Sequence, residues 1–293
     1  MGRTASLVVG LMLMLGVRPA VAQRLLDWPI RTSGGAEAVV PGAAAVFWNP
    51  AGVGLVDGRM EGLVADIEGP ASTGLGGLAL AVAWNPGGRV AVALGYHHIG
   101  IDGIPRTSTS PIPDGTDAEI DVGEDLVALA AAYELAPGWT AGVLARYWWA
   151  NQGNLGLQAA FGAGLVYRPR LPLRPVVGVA AVTDPTGVRW VSGLEASLPT
   201  PPGAWRAGVS YGLAGGGWRG ADHLTHRLAL LAHWREWLTV TAGVALDPEA
   251  ESASPEPIVA GELRLGRYTI GITREDLANG LGAAYTYRLN VTL

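Results

Sequence analysis

The sequence predicts an all-β fold, a transmembrane antiparallel β-barrel of about 14 strands. Three observations carry that prediction: repeated period-two runs with one apolar face and one small or polar face, a near absence of helical windows, and tryptophans gathered at the ends of the runs. Composition agrees, because only 15% of the 293 residues are charged and mean hydropathy is +0.27, against ~25% charged in ordinary soluble domains. Forty-three glycines would suit a disordered chain, but 11 Trp and 8 Tyr do not. The absence of cysteine excludes disulfides, thiolate metal sites, cysteine nucleophiles and a lipidated N-terminal cysteine. A net charge of -5 names no partner, and no nucleic-acid role is expected.

The N-terminus reads as an export signal. Arg3 supplies the positive start, residues 7–17 an apolar run, and Ala20-Val21-Ala22 a small-x-small cleavage signature before Gln23. Residues 1–22 are therefore expected to be a signal peptide cleaved after Ala22, followed by an N-terminal segment, 23–58, and a barrel, 59–293. The apolar run is too short for a spanning helix, which needs roughly 20 residues.

Alternation then recurs to the C-terminus. Trp139, Ala141, Val143, Ala145 and Tyr147 share a face opposite Thr140, Gly142 and Arg146. Tyr285, Tyr287, Leu289 and Val291 likewise oppose Ala284, Thr286, Arg288 and Asn290. Such runs fall at 59–68, 74–84, 89–101, 121–134, 139–150, 156–168, 174–183, 188–198, 204–213, 223–234, 237–246, 258–265, 268–274 and 281–292. Each approaches the ~9–11 residues a tilted strand needs to cross a bilayer. An even count brings both barrel ends to one side, and one set of connections is short where the other is long, as in outer-membrane barrels.

The short set is 85–88, 136–138, 169–173, 199–203, 235–236 and 266–267; the other set is 69–73, 102–120, 151–155, 184–187, 214–222, 247–257 and 275–280, which holds the three longest breaks, and its weak point is 184–187, as short as an inner turn. Trp84, Trp139, Trp205, Trp234 and Trp237 cluster at the short-turn ends, with Trp148, Trp149, Trp190 and Trp218 at or beyond the others. Tryptophan collects in this way at membrane interfaces. Localisation in the outer membrane of a Gram-negative-type bacterium, with its lipids as the surrounding partner, follows as the expectation.

Residues 31–58 do not fit the strand pattern. They hold an alanine-rich stretch followed by Phe47-Trp48-Asn49-Pro50-Ala51-Gly52, in which Asn49 ahead of Pro50 reads as an N-cap with proline at the first helical position. This run resembles the PorV/PorQ branch of the FadL-like outer-membrane barrels, whose members carry an alanine-rich approach and a Phe/Tyr-Trp-Asn-Pro-Ala-Gly run ahead of the first strand. The resemblance is sharpest over 31–58. It implies a 14-stranded barrel whose N-terminal segment plugs the lumen and bears the Asn-Pro-Ala motif, here Asn49, Pro50 and Ala51. It also implies one of two roles. FadL-like members pass hydrophobic ligands through the barrel and sideways into the membrane; PorV-like members serve type IX export of surface proteins. The motif is common to both. Unlike many outer-membrane barrels, the sequence ends on Leu293 rather than an aromatic residue.

Parity places Arg146, Arg189, Arg206, Arg227, Glu262, Arg264 and Arg288 toward the lumen, where they are expected to pair with one another or hold the N-terminal segment. No enzyme is expected. His97, His98, His223, His226 and His233 read as interfacial or loop residues, and His223 and His226 fall on opposite faces of one strand. Asp114, Asp117, Glu119, Asp121, Glu249, Glu251 and Glu256 read as solvated loop acids without calcium-loop spacing, so neither metal nor cofactor is expected. Two functions follow as expectations. A carrier of hydrophobic molecules requires an apolar cavity beside Phe47 and Trp48 with an opening in the wall. An export component requires a filled lumen and an outer binding surface, with exported proteins as partners.

Overall fold

The computed structural model describes residues 35–105, 119–150, 158–184, 187–200, 205–218, 221–246, 255–276 and 282–293. The fourteen strands are β1 (Met60–Glu68), β2 (Leu75–Trp84), β3 (Val90–Pro105), β4 (Glu119–Ala136), β5 (Trp139–Ala150), β6 (Gln158–Tyr167) and β7 (Val176–Asp184), then β8 (Gly187–Ser197), β9 (Trp205–Trp218), β10 (Ala221–Trp234), β11 (Leu238–Leu246), β12 (Glu256–Leu265), β13 (Tyr268–Asp276) and β14 (Ala283–Thr292). Each pairs antiparallel with its neighbours in sequence, and β1 closes the barrel on β14, with Leu63 opposite Asn290. Closure leaves no edge strand with unpaired backbone groups, which the hydrocarbon layer would not tolerate.

The strand count is the one that alternation predicts, while some boundaries move. β3 and β4 reach beyond their expected ends because pairing resumes at Ile104 and Ile120 after a register shift. There the Asp121 carboxylate accepts from the Gly103 amide at 3.1 Å. Glu119, Asp121 and Glu256, expected in loops, therefore belong to strands; Asp114, Asp117, Glu249 and Glu251 lie outside the described residues. The irregular connection at 184–187 shrinks further, since Asp184 pairs with Gly187.

Alternation sorts the side chains as a membrane barrel requires. Val64, Leu80, Leu94, Leu129, Val143, Leu230, Ile270 and Leu289 face outward and are exposed, in a continuous apolar band. A soluble protein would not leave so large an apolar face uncovered. Many inward positions of β1 to β4 are small and buried, among them Ala65, Ala79, Ala81, Ala83, Ala91, Ala93, Ala128, Ala130 and Ala132. The core thus lies in the lumen. At the short-turn end Trp84, Trp139, Trp205 and Trp237 face outward, with Trp139 stacked on Tyr167 at 4.2 Å and Trp205 against Trp234 at 5.0 Å. Trp149 and Trp190 are exposed toward the other end.

Two aromatic expectations are corrected. Trp148 is not an interfacial residue but a lumenal one, only 7% exposed, because adjacent residues on a strand face opposite sides and Trp149 takes the outward position. His97 is likewise buried in the lumen, edge-on to the Phe47 ring at 6.1 Å. Trp28 and the side chains of Trp218 and His223 lie outside the described residues.

An arginine on the outward face should cost what charge costs in lipid. Leu230 pairs with Val209 and Ala242 in mid-strand, so Leu230→Arg is expected to lower stability by ~2–4 kcal/mol, read from urea unfolding in lipid vesicles.

Candidate functional site

A closed barrel of eight strands can be filled by its own side chains, whereas larger ones leave a channel. Here the inward Gly and Ala residues leave the lumen wide, and residues 35–55 occupy it as three short 3-10 helices: Glu37–Val39, Gly42–Phe47 and Pro50–Leu55. Nearly all of this segment is buried, with Val46, Val53 and Asn49 fully enclosed. Short 3-10 turns leave many backbone groups without partners, and the wall supplies them. The Ala36 amide donates to Ser210 Oγ at 2.8 Å and the Ala43 amide to Glu61 Oε1 at 3.3 Å. Glu61 also accepts from Asn290 Nδ2 at 2.9 Å, and Arg146 Nη2 donates to the Phe47 carbonyl.

Within the Phe47-Trp48-Asn49-Pro50-Ala51-Gly52 run, Asn49, Pro50 and Gly52 have distinct packing roles. The Asn49 carboxamide oxygen accepts from the Ala51 amide at 3.1 Å, capping the third turn. The Asn49 Nδ2 donates to the carbonyls of Ala38, at 2.6 Å, and Leu165 of β6, at 3.4 Å. One side chain thus joins two turns of the segment to the wall. Pro50 sits at the first helical position, where a missing amide costs nothing. Gly52 admits no side chain, since a Cβ there would lie 2.2 Å from the Val40 carbonyl.

The wall meets this segment through glycine. A Cβ on Gly164 would lie 2.0 Å from Asn49 Oδ1, one on Gly178 would lie 2.0 Å from the Ala38 carbonyl, and one on Gly142 would lie 2.4 Å from the Pro50 carbonyl carbon. Gly95 is held by Val46 and Phe47, and Gly193 and Gly212 by Ala36. Gly142 pairs with Gly164, and Gly178 with Gly193, which in turn pairs with Gly212. Each strand from β5 to β9 therefore presents a glycine to the segment at its closest approach.

All of the lumenal charges expected from parity lie on inward register positions. Arg227 lies 3.1 Å from Glu37 of the segment and 3.1 Å from Glu275 of β13, all three buried. Arg288 pairs with Glu262, and Arg264 reaches Asp57 at 3.4 Å in the open mouth. Arg206 interacts electrostatically with Glu195 and His233. Glu37, Glu61, Glu195, Ser210 and Glu275 were not distinguishable in the sequence from other polar residues, because their importance depends on which strand faces which turn.

Beside Phe47 and Trp48 lies a cavity of about 210 Å³, bounded by Ala180, Val182, Val191, Ala214 and Thr225 and by Glu37, Arg146, Arg189 and Arg227. It is amphipathic rather than the apolar cavity expected, because the arginines that tie down the segment also line it. Trp190 and Gly215, which border it too, pair with one another at outward register positions of β8 and β9. A Cβ on Gly215 would lie 2.7 Å from the Trp190 ring. The cavity thus reaches the wall where glycine thins it and one indole covers it.

The fold of this closed barrel is similar to that of solved outer-membrane channels. A Pseudomonas aeruginosa FadL homologue aligns over 87% of this chain and 95% of its own, with TM-score 0.53 and 11% identity. The Pseudomonas putida toluene transporter TodX aligns over 90% and 97%, with TM-score 0.51 and 13% identity. The monoaromatic hydrocarbon channel CymD aligns over 89% and 97%, with TM-score 0.55 and 12% identity. At such identities the likeness fixes the fold. No family model matches the chain, and no curated sequence does.

Adding one methyl group to the glycine surface should push the segment off the wall. Gly164→Ala and Gly178→Ala are each expected to destabilise the barrel by ~1–3 kcal/mol, measured as a lower temperature for loss of the heat-modifiable folded band. Gly62→Ala, where a Cβ meets nothing within 4 Å, should leave that temperature unchanged.

Proposed function

We propose that the mature chain, after removal of residues 1–22, sits in the outer membrane of a Gram-negative-type bacterium and carries small hydrophobic molecules across it without chemical change. Residues 23–58 act as the plug and 59–293 as the conducting barrel. Phe47, Trp48, Asn49, Pro50, Ala51 and Gly52 form its ligand-proximal face, and the lumenal arginines hold that face in place.

The observation that carries this reading is the cavity beside Phe47 and Trp48. Its volume of about 210 Å³ exceeds the ~150 Å³ of an engineered apolar cavity that takes up benzene and falls below the ~300–1,000 Å³ of sites for drug-sized ligands. A single aromatic ring is the matching class. Its aromatic floor suits such a ligand by stacking, and its border at Trp190 and Gly215 supports a sideways path into lipid. The fold likeness to channels described as carrying toluene or monoaromatic hydrocarbons supports the same class. A role in surface-protein export also accommodates a filled lumen, but no solved relative speaks for it.

Filling the cavity tests the reading. Ala214→Phe, at an inward position of β9 beside Val191, should abolish uptake of toluene by cells that depend on this barrel while leaving the heat-modifiable fold intact. Undiminished uptake by the folded variant would remove the support for this path.

A further inference from the structure

Arg146, Arg227 and Arg288, which face the lumen above the mouth, are engaged by the plug or by wall carboxylates, but four other arginines are not. Arg89, from the β2–β3 turn, and Arg168, Arg170 and Arg174, from the β6–β7 turn, line a cavity of about 610 Å³ at the short-turn mouth of the barrel. None of the four forms an ion pair or side-chain hydrogen bond with a described residue. Glu134 is the single carboxylate in the lining, so the lining residues carry three uncompensated positive charges. Three of these arginines come from one seven-residue run, Arg168-Pro169-Arg170-Leu171-Pro172-Leu173-Arg174, and two prolines stiffen it.

Arg174 has a φ of 43°, in the left-handed region that glycine or asparagine occupies at less cost. Its amide donates to the Leu171 carbonyl at 2.9 Å, closing the turn. Leu55, at the end of the plug, and Val90 and Leu171 add an apolar side to the cavity.

We propose that this mouth is a phosphate-binding site, taking either the headgroup of an anionic amphiphile or free phosphate. Guanidinium forks match phosphate oxygens two at a time. A dianion with several oxygens can engage several forks, whereas a carboxylate offers only two oxygens and one charge. The cleft concentrates the field of the four cations. The inference goes beyond the carrier reading and does not depend on it, because hydrocarbon passage is assigned to the separate cavity at Phe47 and Trp48.

The test is calorimetric titration of the full-length barrel in neutral detergent with dodecyl phosphate, inorganic phosphate and laurate. Phosphate binding is expected to be about tenfold tighter than laurate binding and to weaken as salt rises. Combining Arg89→Gln, Arg168→Gln and Arg170→Gln should weaken it by about tenfold or more. Arg174→Asn, which suits the turn, should also weaken it and guards against loss of fold in the triple variant. Binding of dodecyl phosphate that inorganic phosphate displaces at similar concentration identifies a free-phosphate site; tight binding of dodecyl phosphate alone identifies a lipid headgroup site. No phosphate binding, equal affinity for laurate, or unchanged affinity in the folded arginine variants would overturn the proposal. Toluene uptake by the same variants should match that of the unsubstituted barrel, which separates this result from the fate of the carrier reading.

Discussion

Close packing of the N-terminal segment against lumenal glycines is the constraint on which the rest depends. A barrel of fourteen strands is too wide for its own alanines and glycines to fill. An empty apolar lumen would forfeit contacts on every lining atom. Residues 35–55 fill that space, and their closest approaches are at glycine: backbone stands where a Cβ would be at Gly142 and Gly178, and the Asn49 or Ala36 side chain does so at Gly164, Gly193 and Gly212. Glycine weakens a strand through entropy and lost packing. Here the loss is offset by closure on both sides and by what the plug packs against it.

Close approach solves the packing problem and creates a polar one. The plug brings peptide groups and Glu37 into buried positions, where an unpartnered polar group is costly. Ser210, Glu61, Arg146 and Asn49 satisfy backbone groups, and Arg227 answers Glu37 while also facing Glu275. These interactions locate the segment in register as well as in depth. The same side chains shape the space left over, so the cavity at Phe47 and Trp48 has a cationic wall although its floor is aromatic. Plug anchoring and cavity chemistry are therefore one design, and neither can change alone.

The two ends of the plug see different surroundings. Where Phe47 and Trp48 face the β8–β9 wall, arginines are bound and the space is small. Where Leu55 meets the short turns, the space is larger and four arginines face it with Glu134 as the single carboxylate in the lining. An aromatic pocket and a cationic vestibule thus lie on separate parts of the plug's surface, with different linings.

The sequence by itself determined the barrel, its strand number, the outward apolar band and the inward direction of Arg146, Arg206, Arg227, Glu262, Arg264 and Arg288, because a period of two fixes which face each side chain takes irrespective of its partners. It also made Asn49 and Pro50 legible as a cap and a first helical position, since that chemistry is local. It misread Trp148 and His97, where composition at a strand end competed with parity and parity won. Only the tertiary structure decided which glycines serve the plug and which, like Gly62, merely face lipid. The same holds for the pairing of Glu37 with Arg227 and the convergence of Arg89 with Arg168, Arg170 and Arg174. Those relations join residues far apart in the chain, and barrel closure with its particular register is what makes them neighbours.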